Sequence, residues 1–526
     1  MKLVKSLLLG SAAGLAAVAG AQAADLPVKK AAPVEYVRIC SAYGAGFFYI
    51  PGTDTCLRVG GRARFEYQYT EQSTRNGGGG NISGYRSTGR LNLDARTQTA
   101  YGTLRAFVRF DIINRTGAYF NSGSQSRYGR AIQGQGIDTQ QVQTQVDVDK
   151  AFIQFAGFTA GRAASFFDFY AHDFEYIGSG PGSDISSTNL FAYTATLGNG
   201  FSATISAEDP TFRRTPLFNV GAVGAGAAVV AFNTFTSSAA TSPVILNNGI
   251  GFVDVAQKNR MPDFVGNLRY DAPWGSAQIS AAVHEIAVGN FGTGTIGAVA
   301  AGAQPNGRRP SNEYGFAVQG GVKINTPFIA AGDGLYLQGA YGEGAANYAG
   351  ISNYAGFDGT GISTRSALNL THSDGVVNPF TGRTTLSNAF SVAGAYLHYW
   401  TPEWRSAVFG SYGEIHYPKG ARGAFASLGN FFATGIAPLN SAANINAFNF
   451  NSTLRDANIV YVGANLTWSP VRDLDIGVEG VYERVALNQG RATDLNKPLG
   501  AVNGVPLRTR NSDDNFLVRM RILRDF

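Results

Sequence analysis

Apolar and polar residues alternate along most of this chain, in runs longer than a half-buried strand of a soluble sandwich needs. Leu57 to Tyr69 sets the pattern. Leu57, Val59, Ala63, Phe65, Tyr67 and Tyr69 share one parity, and Arg58, Arg62, Arg64, Glu66 and Gln68 take the other. Successive side chains of a strand point to opposite faces, so this segment has one greasy surface and one charged surface. Similar segments lie at about 85–98, 100–113, 146–158, 189–198, 201–208, 262–271, 276–286, 313–325, 334–346, 388–400, 404–417, 457–468, 473–484 and 515–526. A short piece at 159–166 brings the expected number to roughly sixteen. The segment 515–526 places Phe516, Val518, Met520, Ile522 and Phe526 on one face and Arg519, Arg521 and Asp525 on the other. Arg524 is the charge on its apolar side, tolerable at a water interface.

The connections alternate in length. Gly198-Asn199-Gly200, Asp271 to Gly275, Thr401 to Trp404 and Ser469-Pro470-Val471 read as tight turns. Between them lie the long segments 209–261, 287–312, 347–387, 418–456 and 485–514, rich in Gly, Ser, Asn and Ala. Tight turns at one end and long loops at the other are what a transmembrane β-barrel has, and a soluble sandwich has no reason to segregate them. Trp274, Trp400, Trp404 and Trp468 all fall at or beside short turns, which reads as an aromatic girdle at the periplasmic interface. The expected fold class is all-β: a transmembrane antiparallel barrel of about 16 strands over 57–526, with an inward-folded constriction loop at 166–188.

Lys2 and Lys5, the apolar run from Leu7 to Ala19 and the small-residue site Ala21-Gln22-Ala23 have the form of a secretory signal peptide over 1–23. Residues 24–56 then form a periplasmic lead-in. No later stretch has the roughly 18–20 continuous apolar residues of a spanning helix. With 67 Gly, 35 Phe, 24 Tyr and 15% charged residues, the chain is glycine-rich, aromatic-rich and charge-poor. The mean hydropathy of -0.06 suits alternating lipid-facing and water-facing positions. A formal charge of +6 is too small a surplus for a nucleic-acid surface, so the placement of the basic residues matters more than their sum. Cys40 and Cys56 are expected to form a disulfide in an oxidising periplasm. No histidine lies near them in sequence to complete a metal site.

Assigning the apolar parity to lipid turns the other parity inward. Arg58, Arg62 and Arg64 come from the first strand, Arg86, Arg90, Asn92, Asp94 and Arg96 from the second, and Arg105, Arg109 and Asp111 from the third. Closure of the barrel adds Arg519 and Arg521, giving one contiguous pore-lining basic wall. A charge on the lipid face near mid-bilayer costs about 2–4 kcal/mol, which favours the lumen. The loop after Gly161-Arg162 carries Asp168, Asp173, Glu175 and Asp184 among Phe166, Phe167, Phe169, Tyr170 and Phe174. Folded inward, it would set carboxylates across from the arginines and impose a transverse field that biases ion passage. For any single charge the competing role is pairing with neighbours to keep the bore hydrated. His172, His284, His372, His398 and His416 fall in no metal spacing, and Gly-x-Ser-x-Gly is absent. No catalytic residue, metal or cofactor is expected.

Three stretches carry a likeness. Val34 to Cys40, Tyr43 to Leu57 with its Pro51-Gly52-Thr53-Asp54-Thr55-Cys56, and Phe155 to Arg162 continuing through Ser165-Phe166-Phe167-Asp168 resemble the alphaproteobacterial porin family, as does Phe516 to Phe526. The resemblance implies a sixteen-stranded porin of the bacterial outer membrane, homotrimeric, with a constriction loop starting near Ser165. It implies passive diffusion of small hydrophilic solutes and ions, with membrane lipid as the surrounding partner and no nucleic acid. A substrate-selective channel with Tyr170 and Phe174 as a stacking path is the alternative, and a surface adhesion or structural barrel is a further one. The sign of the ion preference stays open, because an acidic loop offsets the arginine wall.

Overall fold

The computed structural model describes residues 38–70, 83–117, 142–169, 176, 180–185, 187–215, 217–222, 244–246, 250–254, 258–287, 311–351, 368, 370, 372–378, 383–421, 454–493 and 509–526. The chain divides into two compact units, Met1–Leu57 and Arg58–Phe526. In the first, Phe48–Tyr49 pairs antiparallel with Cys56 and Leu57, and Cys40 is disulfide-bonded to Cys56 as expected. Phe47 is buried with the two cysteines, and Tyr43 and Tyr49 pack against them.

The long alternating segments form sixteen antiparallel strands. They are β1 (Cys56–Thr70), β2 (Ser83–Thr99), β3 (Gly102–Gly117), β4 (Val142–Phe155), β5 (Phe158–Ala163), β6 (Thr188–Gly198), β7 (Phe201–Glu208) and β8 (Asp263–Ala272). The second half comprises β9 (Gly275–Ile286), β10 (Glu313–Asn325), β11 (Gly334–Glu343), β12 (Asn388–Tyr399), β13 (Trp404–His416), β14 (Ala457–Val471), β15 (Leu474–Leu487) and β16 (Ser512–Asp525). Each strand pairs with its neighbours in sequence, and β1 pairs with β16 from Arg62↔Asp525 to Thr70↔Leu517. That last pairing closes the barrel and leaves no unpaired edge, the only way a sheet can sit in hydrocarbon.

The seam is finished by Phe526. Gly61 N–H donates to its carbonyl at 2.9 Å, and its own N–H donates to Gly61 O at 3.1 Å. A Cβ on Gly61 would run into the Phe526 ring, so glycine makes this approach possible.

Parity divides the wall as the alternation requires. Val59, Phe65, Tyr69, Leu91, Ile112, Val146, Val408 and Met520 are exposed on the outside, while Glu66, Gln68, Arg86, Asp111 and Arg519 are buried on the inside. A continuous exposed apolar belt around a buried polar interior inverts the arrangement of a protein in water and matches a barrel in lipid. Among the described residues no helix is long and apolar enough to cross a membrane.

Two features depart from the sequence reading. Ser469-Pro470-Val471 remains in β14 past a register shift, and the turn falls on Arg472–Asp473, with Asp473 at φ 63°. The long segments 209–261 and 347–387 also contain a second sheet. Its strands are Leu217–Ala222, Val244–Leu246, Ile250–Asp254, Gly375–Val377 and Thr384–Leu386, with one parallel pairing. Strands of three to six residues are too short to register as periodicity, which is why these segments read as loops.

Candidate functional site

The inward parity of β1–β4 and β16 carries a dense lattice of guanidinium and carboxylate groups. Glu66 is its centre. Arg521 Nε donates to Glu66 Oε1 at 2.8 Å, Arg64 and Arg86 lie 3.4 and 3.5 Å from Oε2, and Arg519 lies 3.9 Å from Oε1. Arg519 also donates to Gln68 Oε1 at 2.6 Å. Towards β3, Arg90 grips Asp111 with two bonds of 2.7 Å, and Arg109 reaches Asn92 at 2.9 Å and Asp149 at 3.2 Å. Arg96 and Arg105 share Asp94 through contacts of 2.7 to 3.1 Å. Arg62 forks onto Asp525 across the seam at 2.6 and 3.0 Å. Bidentate pairs of this kind fix both partners, so the wall holds its charges in place.

β4 contributes through an irregularity. Its register with β3 shifts between Arg109 and Phe110, so Asp149 and Lys150 follow one another in that region. Beyond the shift Phe152 stacks on Phe107 at 5.3 Å, and the guanidiniums of Arg105 and Arg109 lie 5.1 and 5.5 Å from the Phe107 ring. Aromatic faces thus brace the arginines as carboxylates do.

The loop between β5 and β6 crosses the interior. At its start the carbonyl of Phe167 accepts from Ser280 Oγ at 2.5 Å and Gln319 Nε2 at 2.8 Å, seating it on β9 and β10. Tyr176 reaches the opposite side. Its N–H donates to Glu479 Oε2 at 2.7 Å, its hydroxyl pairs with Thr467 Oγ1 at 2.7 Å, and its carbonyl accepts from Arg519 at 2.9 Å and Arg521 at 2.6 Å. Arg521 lies 4.2 Å from its ring, and burial pushes its hydroxyl above the usual tyrosine pKa. A cavity of about 210 Å³ borders Tyr176, with Arg62, Arg405, Arg521, Asp475 and Asp525 in its lining.

The acidic residues of this loop do not sit as the sequence suggested. Asp168 does not confront the arginine wall: Arg213, from the connection after β7, binds both its oxygens at 2.9 Å. Ile185 N–H also donates to it at 2.6 Å, and Ser183 Oγ contacts it. Arg213 stacks 4.3 Å from Tyr348, whose hydroxyl donates to Asp263 at 2.7 Å. An aspartate beside buried loop amides finds its partner locally, and Arg213 gave no alternating signal to mark it. Asp184 is partly buried and couples electrostatically to Lys150. Asp173 and Glu175 lie outside the described residues, as do Tyr170, His172 and Phe174.

Of the basic positions, Arg62, Arg64, Arg86, Arg90, Arg96, Arg105, Arg109, Arg519 and Arg521 join the lattice above. Arg58 does not: it is exposed and makes no ion pair among the described residues. Trp404 and Trp468 are cross-strand partners stacked at 5.8 Å on the outward parity, and Trp274 and Trp400 are exposed beside their turns. The alternation turns Glu66, Asp94 and Asp111 inward with the arginines but does not give their pairing, with Glu66 at its centre, and it leaves out the Asp149-Lys150 step. That step was visible as two consecutive polar residues breaking the alternation of Val146-Asp147-Val148. Among the described residues no group of His, Cys, Asp or Glu could hold a metal ion.

Comparison with known proteins agrees with this architecture. The family model described as the porin subfamily matches residues 25–503. Porin Omp2a of Brucella ovis is 39% identical over 216 residues, a stretch covering 39% of this chain and 59% of that protein. Porin Omp2b of Brucella canis is 33% identical over 357 residues, covering 62% of this chain and 82% of that one. The outer membrane channel DcaP of Acinetobacter baumannii shares the fold, with a TM-score of 0.50 and 12% identity over 91% of this chain and 99% of that chain. With a family match along most of its length and a closed sixteen-stranded barrel, this chain belongs to the porin subfamily and is a bacterial outer-membrane protein related to the alphaproteobacterial porins.

Proposed function

We propose that the barrel is a water-filled channel through which small hydrophilic solutes and ions diffuse passively across the outer membrane. The supporting observation is the interior itself: a fixed, charged lattice on one wall and a loop tied to it through Tyr176. A polar bore narrowed by an anchored loop selects by size and by the field at the narrowing, and needs no energy source. Residues 166–188 act as the constriction loop, and Arg62, Arg64, Arg86, Arg90, Arg96, Arg105, Arg109, Arg519 and Arg521 line the pore. The field at the narrowing comes from arginines beside their own carboxylates, since Asp168 serves as an anchor. The relatives are porins by name, which supports a channel and no catalytic role. The same kinship supports assembly as a homotrimer, residues 1–23 as an export signal and 24–56 as a lead-in, and the exposed Trp274, Trp400, Trp404 and Trp468 beside the short turns serve as anchors at the membrane–water interface.

Liposome swelling with sugars of graded size tests the reading. Uptake falling smoothly with solute size supports it, and liposomes that never swell overturn it. The cavity beside Tyr176, with Arg62, Arg405, Arg521, Asp475 and Asp525 in its lining, favours a second reading, a channel selective for a particular polar solute. Saturating uptake of one solute would select that reading over free diffusion.

A further inference from the structure

Seven short turns join barrel strands, and six of them span two to four residues. The seventh, between β10 and β11, is longer. It runs from Thr326 to Asp333, and its tip, Pro327-Phe328-Ile329-Ala330-Ala331, carries no charge. Phe328 is 81% exposed and Ile329 57%. The backbone is nonetheless well tied: Thr326 N–H donates to Asp333 O at 2.9 Å, Ile329 N–H to Thr326 O at 3.0 Å, and Asp333 N–H to Ala330 O at 3.1 Å.

Its polar base is fastened to β12. The Asp333 carboxylate accepts from the Tyr396 hydroxyl at 3.0 Å and from Tyr399 N–H at 2.8 Å, and lies 2.6 Å from His398 Nδ1. Tyr396 and His398 share their parity with Val392 and Trp400, which are exposed on the outward side of the wall. The His398 ring meets Trp400 edge-on at 4.4 Å. The turn is therefore bound to the lipid-facing surface, beside an interfacial tryptophan, and leaves its apolar tip without protein to pack against.

We propose that Thr326–Asp333 is a lipid-docking turn, with Phe328 and Ile329 seated at the headgroup–acyl boundary of the periplasmic leaflet. The occupant is phospholipid. Two large apolar side chains held in water are disfavoured, and this tip is continuous with the belt that lipid already covers. The closed hydrogen bonding of the turn lets its backbone enter that layer without orphaned polar groups. The inference rests on the outer-membrane barrel and is independent of what passes through it.

The test uses the full chain in nanodiscs of phosphatidylethanolamine and phosphatidylglycerol. Phe328→Cys carries a nitrobenzoxadiazole label, the native cysteines being disulfide-bonded, and Asp473→Cys in a two-residue turn carries the same label as a control. The expected result at position 328 is blue-shifted emission, quenching by lipids bearing a nitroxide near the headgroup, and several-fold less quenching by iodide than at 473. Iodide quenching both sites alike, with no effect of nitroxide lipid, would place the tip in water and overturn the proposal. Protection from both quenchers together with crosslinking between copies would overturn it in favour of a second chain as the occupant.

Discussion

Glu66 lies within 3.9 Å of four guanidinium groups, those of Arg64, Arg86, Arg519 and Arg521, and is completely buried. One carboxylate that shields four cations from one another is costly to remove, because the buried arginines are then left to repel. Glu66→Ala is expected to lower the stability of the folded barrel by about 3–5 kcal/mol, read from denaturant unfolding in detergent. A change under about 1 kcal/mol would mean that water already screens the cluster. A second residue-scale expectation concerns acid. Burial pushes His372, in the connection between β11 and β12, down to about 3. The unfolded chain would protonate this ring near its ordinary pKa of about 6.5, so its stabilising contribution is intact above that pH and is lost as pH falls towards 3. Amide exchange in Ser373 to Val377 should accelerate across that window in the native chain and less so in His372→Gln. Equal acceleration in both would remove His372 as the cause. Neither residue was legible as such in the sequence. Glu66 stood out only by parity, and the burial of His372 depends on a loop fold that leaves no periodic trace.

At the scale of elements, the strands were the legible part. Thirteen alternating residues in Leu57 to Tyr69 state a membrane-crossing strand without help from the rest of the chain. What the alternation shows only in part is where it breaks: the Asp149-Lys150 step leaves a mark as two consecutive polar residues, whereas the shifted register past Trp468 needed a partner strand to become visible. Outward placement can be tested directly on β13. Val408→Arg puts a guanidinium on the exposed face at mid-strand and should cost about 2–4 kcal/mol of stability in phospholipid. A neutral result there would move Val408 out of the bilayer. The loop between β5 and β6 makes a different demand. The Arg213–Asp168 pair is fully buried, so Arg213→Met strands a carboxylate beside Ser183 and Ile185. Single-channel recordings should then show increased open-channel noise, and Asp168→Asn added to Arg213→Met should restore part of the quiet. Unchanged noise in the single variant would detach this pair from the loop's positioning.

The whole molecule follows from one pairing, β1 with β16, which turns sixteen amphipathic strands into a cylinder with an oil-facing outside and a charged inside. The sequence stated the two faces clearly, and the class of fold with them. It could not state how the inner charges pair, because partners such as Arg62 and Asp525 are far apart in sequence and meet only on closure. That pairing decides what the interior does to an ion. The most direct measurement is the reversal potential of single channels in a planar bilayer under a salt gradient, for the native chain and for Arg62→Ser, Arg90→Ser and Arg109→Ser combined. Conducting channels are expected, with a reversal potential that shifts towards cation preference in the triple variant, as Asp525, Asp111 and Asp149 lose these arginine partners. A variant that conducts with an unchanged reversal potential, or a native chain that inserts without conducting, would contradict this expectation.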